Sequence, residues 1–427
     1  MNYVIIGGSA AGVSAAQRLR ESDKKASIAV ISDESFPLYS RCLLTYLIAG
    51  TIDESKLKFK DDNFYKDNDI KTYLGKKAVF IDRKDRAVSL DDKTKLVYDR
   101  LLIASGASAN ILNIKGTDKK GVFTLRYIDD ARRIIKSLDR VKSVAILGGG
   151  LIGLKDAYAL RQKGKEIIVV VKSTQVLSQM LDKDAADMIS GKLEKHGIKI
   201  MTGRDAKEIL GSESVEGVLL DSGDKINCQM VIIGKGVTPN AQIASSCGIK
   251  VEEAIVTDNF LRTSDENIFA AGDVAETLDI SKDGRSINAL WPCAVEQGAA
   301  AALNMMGKNM PYDGSLSMNS VDFFGLGAIS VGITKPKKEG YEAVYRMGDN
   351  FYKKFVLKGS RLVGAVFVGD IDSAGIANVL IRKRIDVSSI KNRLLDKNFN
   401  YAKIMSLIAA NKDRFKQGEY LDTITTF

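Results

Sequence analysis

Histidine and cysteine are both scarce in this chain of 427 residues, which has one histidine, His196, and four cysteines. A single histidine excludes a histidine-rich metal site and argues against a Ser-His-Asp triad. The cysteines form no CxxC pair, which argues against a disulfide scaffold, a zinc ribbon, an iron–sulfur cluster and a local redox dithiol; they are Cys42, Cys228, Cys247 and Cys293. The sequence therefore predicts no resident metal site.

Long apolar runs and an N-terminal signal sequence are also missing. No stretch approaches the roughly 18–20 apolar residues that a membrane helix needs. Met1 is followed almost at once by residues 3–6, an apolar segment that is typical of a core strand rather than a signal. We therefore expect a cytoplasmic protein with no membrane segment. The 45% hydrophobic content is that of a folded chain, and the length predicts two or three domains.

One pattern that is present occurs twice: a strand, a glycine-rich turn, a helix and a second strand. The first copy has a strand at 3–6, a turn at 7–12, a helix at 13–20 and a strand at 27–31. The second copy has these elements at 143–147, 148–153, 154–163 and 167–171. Each copy is typical of a mononucleotide-binding unit, which is an open parallel sheet flanked by helices. From residue 315 onward, strand-like pieces at 328–331, 343–346, 352–357 and 362–367, followed by basic helices, predict a smaller α+β domain.

The first glycine-rich turn fits the dinucleotide fingerprint, with Ser9 in place of the middle glycine. Gly7 permits the tight turn, Gly12 lets the helix pack on the strand, and the helix N-terminus favours a pyrophosphate. A carboxylate about 20 residues further on is expected to hold an adenosine ribose. Asp33 and Glu34 stand there. The unit predicts a dinucleotide site, with a purely structural glycine turn as the alternative.

The second turn keeps all three glycines, Gly148, Gly150 and Gly153. At the end of its second strand, however, Lys172 stands where an acidic residue would bind a ribose diol. A cation there favours a 2′-phosphate and therefore NADPH. The alternative is that Lys172 points to solvent, which leaves NADH and NADPH both open.

A third signal is an apolar strand that ends in Gly272 and Asp273. Gly272 lets a ligand approach the backbone, and the Asp273 carboxylate can accept a hydrogen bond from a polyol hydroxyl. Taken alone, Gly-Asp is a common turn. Its place after two nucleotide-binding units makes it informative.

The order of these motifs resembles that of the FAD-dependent pyridine nucleotide–disulfide oxidoreductase superfamily over residues 1–395. Segments 98–106 and 232–240 complete the match. The resemblance implies an α/β fold with two Rossmann-like dinucleotide-binding domains and a C-terminal α+β interface domain. The implied boundaries are 1–110 with 241–314 for the FAD domain, 111–240 for the NAD(P) domain and 315–427 for the last domain.

The resemblance also implies which residues bind the two cofactors, FAD and either NAD(H) or NADP(H). The implied FAD contacts are Gly7, Ser9, Ala10, Ala11, Gly12, Asp33, Glu34, Arg41, Val79, Ala104, Ser105, Gly106, Gly272 and Asp273. The implied NAD(P) contacts are Gly148, Gly150, Leu151, Ile152, Gly153, Lys172 and Gly236. Lys155 stands where the superfamily usually has a glutamate beside the nicotinamide amide, so it is a candidate catalytic residue. A helix that begins near residue 294 is expected to point its N-terminus at the flavin.

Segments 39–46, 362–370 and 386–389 are similar to NADH:rubredoxin oxidoreductases, to the N-terminal half of assimilatory nitrite reductase and to NADH:acceptor subunits of larger oxidoreductase complexes. This resemblance implies hydride transfer from NAD(P)H to flavin N5. Single electrons would then pass to or from rubredoxin, ferredoxin or an iron–sulfur subunit. The chain would act alone, as a homodimer or as a complex subunit. A non-catalytic flavoprotein scaffold is a further alternative.

Cys42 separates two branches of the superfamily. It occupies the position of the single redox cysteine of NADH oxidases, NADH peroxidases and CoA-disulfide reductases, whose thiolate lies near the flavin. Oxidases and peroxidases also have a histidine in the first turn, where this chain has Ala10. Peroxide chemistry is therefore not expected. A CoA-disulfide or thiol reductase that uses Cys42 is the alternative function, and a small apolar filler is the plain structural role.

Positive charge exceeds negative charge, with 63 Lys and Arg against 53 Asp and Glu and a net charge of +10. No arginine-rich run or aromatic platform points to nucleic acid. Part of the surplus lies in a basic C-terminal region: Lys383, Arg384, Lys391, Arg393, Lys397, Lys403, Lys412, Arg414 and Lys416. We expect this region to steer or dock an acidic redox protein or iron–sulfur subunit.

Overall fold

The computed structural model describes residues 1–36, 38–282, 284–397, 399–416 and 418–420. In the first part of the chain, strands β1 to β8 span Asn2–Ile6, Ser27–Ser32, Ile70–Leu74, Ala78–Asp82, Ala87–Leu90, Lys95–Val97, Arg100–Ile103 and Ala107–Ala109. Helices α1 to α3 span Ala10–Ser22, Leu44–Ala49 and Phe64–Asp67. A short 3-10 turn at Arg41–Leu43 precedes α2.

The middle part of the chain supplies strands β9 to β17. They span Val122–Phe123, Ser143–Leu147, Glu166–Val171, Ile198–Thr202, Ala206–Leu210, Gly217–Leu220, Lys225–Asn227, Met230–Ile233 and Val237–Pro239. Helices α4 to α6 span Ile128–Ser137, Leu151–Gln162 and Lys183–Lys195.

The last part of the chain begins with helix α7 and ends with helix α10. Strands β18 to β26 span Ile255–Val256, Ile268–Ala270, Ala275–Asp279, Gly284–Ser286, Met318–Phe323, Leu326–Gly332, Tyr341–Gly348, Phe351–Lys358 and Arg361–Val368. Helices α7 to α10 span Gln242–Ser246, Trp291–Met305, Ala374–Arg382 and Met405–Ala410.

Two five-stranded sheets carry the two glycine-rich turns. The first has the order β19-β7-β1-β2-β3 and the second has the order β12-β11-β10-β16-β9. Neighbouring strands are parallel throughout both sheets. Because parallel strands end at one edge of their sheet, the segments that follow these strands are brought together there. The α/β fold with two Rossmann-like sheets is therefore confirmed.

The first sheet is discontinuous in sequence. Its strands β1, β2, β3 and β7 come from residues 2–103, whereas β19 comes from residues 268–270 and pairs with β7. The second sheet draws only on residues 122–233. This arrangement agrees with an insertion of one nucleotide-binding unit into another, and the boundaries at 110, 240 and 314 stay a prediction.

A five-stranded antiparallel sheet, in the order β22-β23-β26-β25-β24, forms the centre of the C-terminal region. Helix α9 packs on it, and Phe355 and Phe367 are completely buried in the core between them. The predicted α+β domain is therefore present, with β22 as a strand that the sequence pattern missed. Residues 421–427 of the predicted domain lie outside the described residues.

Both nucleotide-unit helices begin earlier than the sequence indicated. Helix α1 starts at Ala10 instead of residue 13, and α5 starts at Leu151 instead of residue 154. The last residues of each predicted glycine-rich loop therefore belong to the first turn of a helix. The N–H groups of a first helical turn have no intrahelical partner. Among the described residues, no helix is long and apolar enough to cross a membrane, and no cluster of three acidic, histidine or cysteine residues could hold a metal.

Candidate functional site

A cleft of about 1130 Å³ is lined by residues that follow strands of both parallel sheets. Its volume exceeds the roughly 300–1,000 Å³ of a pocket for one drug-sized ligand. Residues after β1, β2, β7 and β19 meet residues after β10, β11 and β16 along its walls. Ser317 and Asn319 of the C-terminal region also reach it. The two glycine-rich turns therefore open into one shared space.

The first turn has no room for larger residues at its ends. Gly7 has φ +124°, and a Cβ there would lie 2.0 Å from the carbonyl oxygen of Ala104. A Cβ on Gly12 would lie 1.9 Å from the carbonyl oxygen of Gly7. Among the described residues, the Ser9 side chain caps no N–H group of α1. The free N–H groups at the cleft fit the anionic pyrophosphate of a dinucleotide.

The second turn repeats this geometry. Gly148 has φ +133°, and a Cβ there would lie 2.2 Å from the carbonyl oxygen of Gly234. A Cβ on Gly153 would lie 2.3 Å from the carbonyl oxygen of Gly148. At Gly150, by contrast, a Cβ would meet no atom of the described chain within 4 Å. The outer glycines are thus required by the fold, whereas the middle one leaves space for a ligand.

Glu34, the residue expected to hold a ribose, lines the cleft beside β2. Its carboxylate accepts hydrogen bonds from the Tyr39 hydroxyl and from the Arg41 guanidinium. Burial raises the pKa of Glu34, and the charge of Arg41 opposes that rise. The Arg41 guanidinium also lies 4.7 Å from the Tyr127 ring centroid. Two of the predicted FAD contacts, Glu34 and Arg41, therefore hold each other in place.

Asp273 is paired with an arginine that sequence reasoning missed. Arg126 donates from Nη2 to Asp273 Oδ2 at 2.7 Å and from Nε to the carbonyl oxygen of Ala107 at 3.0 Å. Arg126 stands between β9 and α4, outside every motif, and only its place just after a strand end could have suggested it. Its charge adds to the cationic character of the cleft wall.

Helix α8 directs its N-terminus into the cleft, where Leu290, Trp291 and Ala294 form part of the wall. It begins at Trp291, three residues before the expected start. The buried Gln297 fixes the helix to the Gly-Asp motif, because its Oε1 accepts the Gly272 N–H at 2.7 Å. The partial positive charge of a helix N-terminus suits the anionic edge of a bound reduced flavin.

Lys172 belongs to a small charged cluster at the end of β11. Its Nζ lies 3.5 Å from Asp205 Oδ2, and Lys235 Nζ lies 2.7 Å from Asp205 Oδ1. Burial works to raise the pKa of Asp205, but the hydrogen bond and charge of Lys235 hold it below its ordinary value. Lys172 and Lys235 line the cleft. Two lysines against one carboxylate leave a net positive charge near the predicted coenzyme subsite.

The two candidate catalytic residues lie on the same cleft. Cys42 is exposed in the 3-10 turn before α2, and Lys155 projects from α5 with its Nζ 5.9 Å from the Tyr46 ring centroid. All four cysteines lie in the described residues and none forms a disulfide. Cys228 and Cys293 are buried, and burial raises the pKa of Cys228 to about 11. Cys42 is thus the accessible thiol of the cleft.

Most of the predicted cofactor contacts line this cleft, and three do not. Among the residues that the structure describes, Val79 is half exposed on β4 and does not reach the cleft, although the preceding residue Ala78 does. Successive side chains of a strand point to opposite faces, which explains the difference. Gly12 and Gly153 lie behind the wall, where they bring helix and strand together. The cleft-lining predictions are Gly7, Ser9, Ala10, Ala11, Asp33, Glu34, Arg41, Ala104, Ser105, Gly106, Gly272, Asp273, Gly148, Gly150, Leu151, Ile152, Lys172 and Gly236.

Next to Lys155, the side chain of Asp156 is completely buried in α5. Within the described part of the chain, neither of its carboxylate oxygens has a hydrogen-bond partner. Burial raises the pKa of Asp156 well above its ordinary value, and the charge of Lys155 opposes the rise only in part. Burial in apolar surroundings therefore favours the neutral form of Asp156.

Much of the basic C-terminal region is neutralised within the chain. Lys383 pairs with Glu419, Lys391 pairs with Glu342, and Lys416 pairs with Asp313. Arg393 and Lys403 share Asp396. The expected docking surface therefore carries less net charge than its lysine and arginine content suggests.

Comparison with known proteins agrees with this geometry. Residues 1–298 match the family described as "Pyridine nucleotide-disulphide oxidoreductase", and residues 318–385 match the "Rubredoxin NAD+ reductase C-terminal domain". The nitrite reductase [NAD(P)H] of Bacillus subtilis is 29% identical over 90% of this chain and 48% of its own length. The chain thus spans about half the length of that curated relative.

Two further relatives cover more of their own length. The NAD(P)H coenzyme A polysulfide/persulfide reductase of Pyrococcus horikoshii is 32% identical over 79% of this chain and 78% of its own. The reductase in the covalent putidaredoxin reductase–putidaredoxin complex has a TM-score of 0.88 and 26% identity, covering 96% of this chain and 99% of its own. On this evidence the chain belongs to the pyridine nucleotide-disulphide oxidoreductase family, whose members are flavoproteins that use FAD and NAD(P)H.

Proposed function

We propose that this protein is a FAD-dependent NAD(P)H:acceptor oxidoreductase that exchanges electrons with a protein metal centre. The observation that carries the proposal is the shared cleft, into which both glycine-rich turns open together with a single accessible thiol. Both nucleotides are then held within reach of each other. Without a second cysteine to form a disulfide with Cys42, electrons are expected to leave for an external acceptor.

Bound FAD would supply the chemistry of accepting a hydride from NAD(P)H and releasing electrons one at a time. The chain's own residues provide binding and orientation. The free N–H groups of α1 and α5 would receive the two pyrophosphates. Asp273, held by Arg126, and Glu34, held by Arg41, offer fixed carboxylates to hydroxyl groups of the cofactor.

Support for a protein acceptor comes from the C-terminal region. Its match to a rubredoxin reductase domain, and the similarity of the chain to a reductase solved in complex with putidaredoxin, favour a small redox protein as the partner. The surplus positive charge favours an acidic partner. Because several basic residues are already paired internally, we expect a moderate fall in the acceptor reduction rate as ionic strength rises. A rate that does not change with salt would contradict an acidic docking partner.

A second function, reduction of CoA disulfide or CoA persulfide, is favoured by one observation. Cys42 is exposed on the cleft wall, and the Pyrococcus horikoshii relative is named as an NAD(P)H coenzyme A polysulfide/persulfide reductase. In this alternative the Cys42 thiolate would attack one sulfur of CoA disulfide, forming a Cys42–CoA mixed disulfide and releasing the other CoA as its thiolate. Two electrons and a proton, supplied by NAD(P)H by way of bound FAD, would then cleave the mixed disulfide, regenerating the Cys42 thiolate and releasing the second CoA thiol.

The experiment that tests the proposal compares acceptors in one assay. The FAD-loaded protein is mixed with NADH or NADPH and then with rubredoxin, a two-iron ferredoxin or CoA disulfide. We expect rapid flavin reduction and turnover with at least one of the two metal-centre proteins, unchanged in Cys42→Ser. Cys247→Ser is the matched control, because this thiol lies outside the cleft. If only CoA disulfide turns over and Cys42→Ser abolishes it, the second function is correct.

A further inference from the structure

The loop that precedes helix α6 forms part of the cleft wall on the coenzyme side. Ser178, Gln179 and Met180 line the cleft, between the end of β11 and the start of α6. The loop is also joined to the second glycine-rich turn, because the Leu177 N–H donates to the Gly149 carbonyl oxygen at 2.7 Å. A shift of this loop would therefore move both the wall and the turn that receive NAD(P)H.

Asp182 ends this loop and stands at the N-cap of α6. Aspartate is a favoured N-cap residue because its carboxylate usually accepts an N–H of the first helical turn. Here, among the described residues, its side chain caps no N–H group. The carboxylate is turned towards the C-terminal sheet instead, so the helix gives up a capping bond that the sequence could have provided.

Two residues of strand β25 donate hydrogen bonds to this carboxylate. Tyr352 donates from its hydroxyl to Asp182 Oδ2 at 2.7 Å, and Lys354 Nζ lies 2.7 Å from the same oxygen. The other oxygen, Oδ1, is buried and has no partner within the described part of the chain. The contact joins residues 170 and 172 positions apart in sequence. A carboxylate that is only 16% exposed and is held at one oxygen is a specific and costly contact rather than a chance surface pair.

The C-terminal region holds the same unit at two other points. Lys335, which follows β23, donates to the carbonyl oxygen of Ser178 in the loop. At the far end of α6, the His196 ring stacks on Phe324 at a centroid distance of 4.0 Å. Burial and the neighbouring Lys337 and Lys354 lower the pKa of Lys335, against the opposing charge of Asp182. The C-terminal region therefore contacts helix α6 and its loop at both ends, although it contributes few residues to the cleft wall.

We propose that Asp182, Tyr352 and Lys354 are positioning residues through which the C-terminal domain sets the loop that receives NAD(P)H. They touch no substrate themselves. They act on coenzyme affinity through Ser178–Met180 and through the Leu177–Gly149 bond. The C-terminal domain is then part of the coenzyme site as well as the expected place of partner docking.

The test separates coenzyme binding from hydride transfer. Asp182→Asn and Lys354→Met are loaded with FAD, and the rate of flavin reduction is measured over a range of NADH and NADPH concentrations. We expect the dissociation constant of the coenzyme to rise about fivefold while the limiting reduction rate changes by less than about twofold. Lys354→Arg, which keeps the charge, is expected to restore affinity, and Tyr352→Phe is expected to have a smaller effect.

Lys353→Met is the matched control. Lys353 is the neighbouring buried lysine of β25, and it pairs with Asp370 at 2.7 Å instead of with the loop. It is expected to lower thermal stability without changing coenzyme affinity. Calorimetric titration with NAD+ and NADP+ measures coenzyme binding even if no flavin reduction occurs. The positioning proposal rests on the proposed function, and this measurement distinguishes the failure of one from the failure of the other. Unchanged affinity in folded Asp182→Asn and Lys354→Met, or an equal change in Lys353→Met, would overturn the proposal.

Discussion

The two glycine-rich turns have the same backbone geometry and different surroundings. In each, the first glycine has a positive φ and the last faces a carbonyl oxygen at about 2 Å from its missing Cβ. The middle position differs, since Ser9 stands in one turn and Gly150 in the other. A Cβ at Gly150 would meet no described atom within 4 Å. The comparison shows which glycines the fold requires and which one only a ligand could require.

The residues beyond the turns differ more strongly. After the second strand, the first unit has Glu34, held by Arg41 and Tyr39, and the second has Lys172 beside Asp205. Three residues after the last glycine, the first helix has Ala15, and the second has Asp156. The first unit therefore has a carboxylate at its strand end and an apolar side chain in its helix. The second has a lysine at its strand end and a buried acid in its helix.

The largest effect is expected from an alanine at the last glycine of either turn. Gly12→Ala and Gly153→Ala each force a Cβ against a carbonyl oxygen, at a cost of roughly 3 kcal/mol. We expect Gly12→Ala to lose FAD, and Gly153→Ala to keep FAD but lose reduction by NAD(P)H. Flavin content and stopped-flow reduction measure the two effects. Loss of FAD from both variants would contradict the assignment of one cofactor to each turn.

A charge reversal at Lys172 tests the difference in coenzyme recognition. Lys172→Glu restores the acidic residue that binds a ribose diol, and it removes a cation from a 2′-phosphate. We expect the ratio of kcat/KM for NADPH to that for NADH to fall by about tenfold or more. Lys199→Glu, at an exposed position of β12 outside the cleft, is the control. An unchanged ratio would show that Lys172, whose side chain is 79% exposed, does not contact the coenzyme.

Asp156→Ala makes the second helix resemble the first at its buried position. The folded-state pKa of Asp156 is raised above its unfolded value of about 3.9. Its protonated form therefore stabilises the fold at low pH, and stability is lost as pH rises towards the folded pKa. We expect Asp156→Ala to remove this slope and to be about 1–3 kcal/mol more stable than wild type near pH 8.

Urea unfolding at pH 5 and pH 8 measures the effect. Asp156→Asn, which cannot ionise, is expected to remove the same pH dependence while leaving a polar group buried. If the difference in stability between the two pH values is the same in wild type and both variants, Asp156 is not the group that loses a proton.

The smallest effect is expected from Gly150→Ser, which gives the second turn the residue of the first. Because the space around a Cβ is open there, the free energy of unfolding should change by less than about 0.5 kcal/mol. Gly150 lines the cleft and is a predicted NAD(P) contact, so the dissociation constant of the coenzyme is expected to rise several-fold. A large drop in melting temperature would show that the middle glycine is required by the fold after all.

Sequence patterns predicted the parts of this site that depend on local order. The turns after β1 and β10, and the four strands β23 to β26, follow from periodicity and glycine spacing, and the Gly272–Asp273 turn follows from its strand. What could not be predicted depends on contacts between distant residues. Arg126 meets Asp273 across 147 positions, and Asp182 meets Lys354 across 172 positions. Neither pair leaves a local signal in a single sequence.

One open prediction and one error have a local cause. Val79 was predicted from resemblance alone, and the alternation of side chains along β4 places its neighbour Ala78 on the cleft, so a contact of Val79 with FAD stays a prediction. Both nucleotide-unit helices were predicted to start three residues late, because glycine and small residues indicate a turn. In the structure these residues form the first turn of each helix, and the free N–H groups of that turn are the groups that could donate hydrogen bonds to a phosphate.

Anaerobic titration with NADH or NADPH tests whether the cleft joins two nucleotides without a second redox centre of its own. We expect complete reduction of the flavin by one two-electron equivalent per FAD, with no long-wavelength thiolate-to-flavin charge-transfer band. A requirement for a second equivalent, together with such a band that disappears in Cys42→Ser, would contradict it.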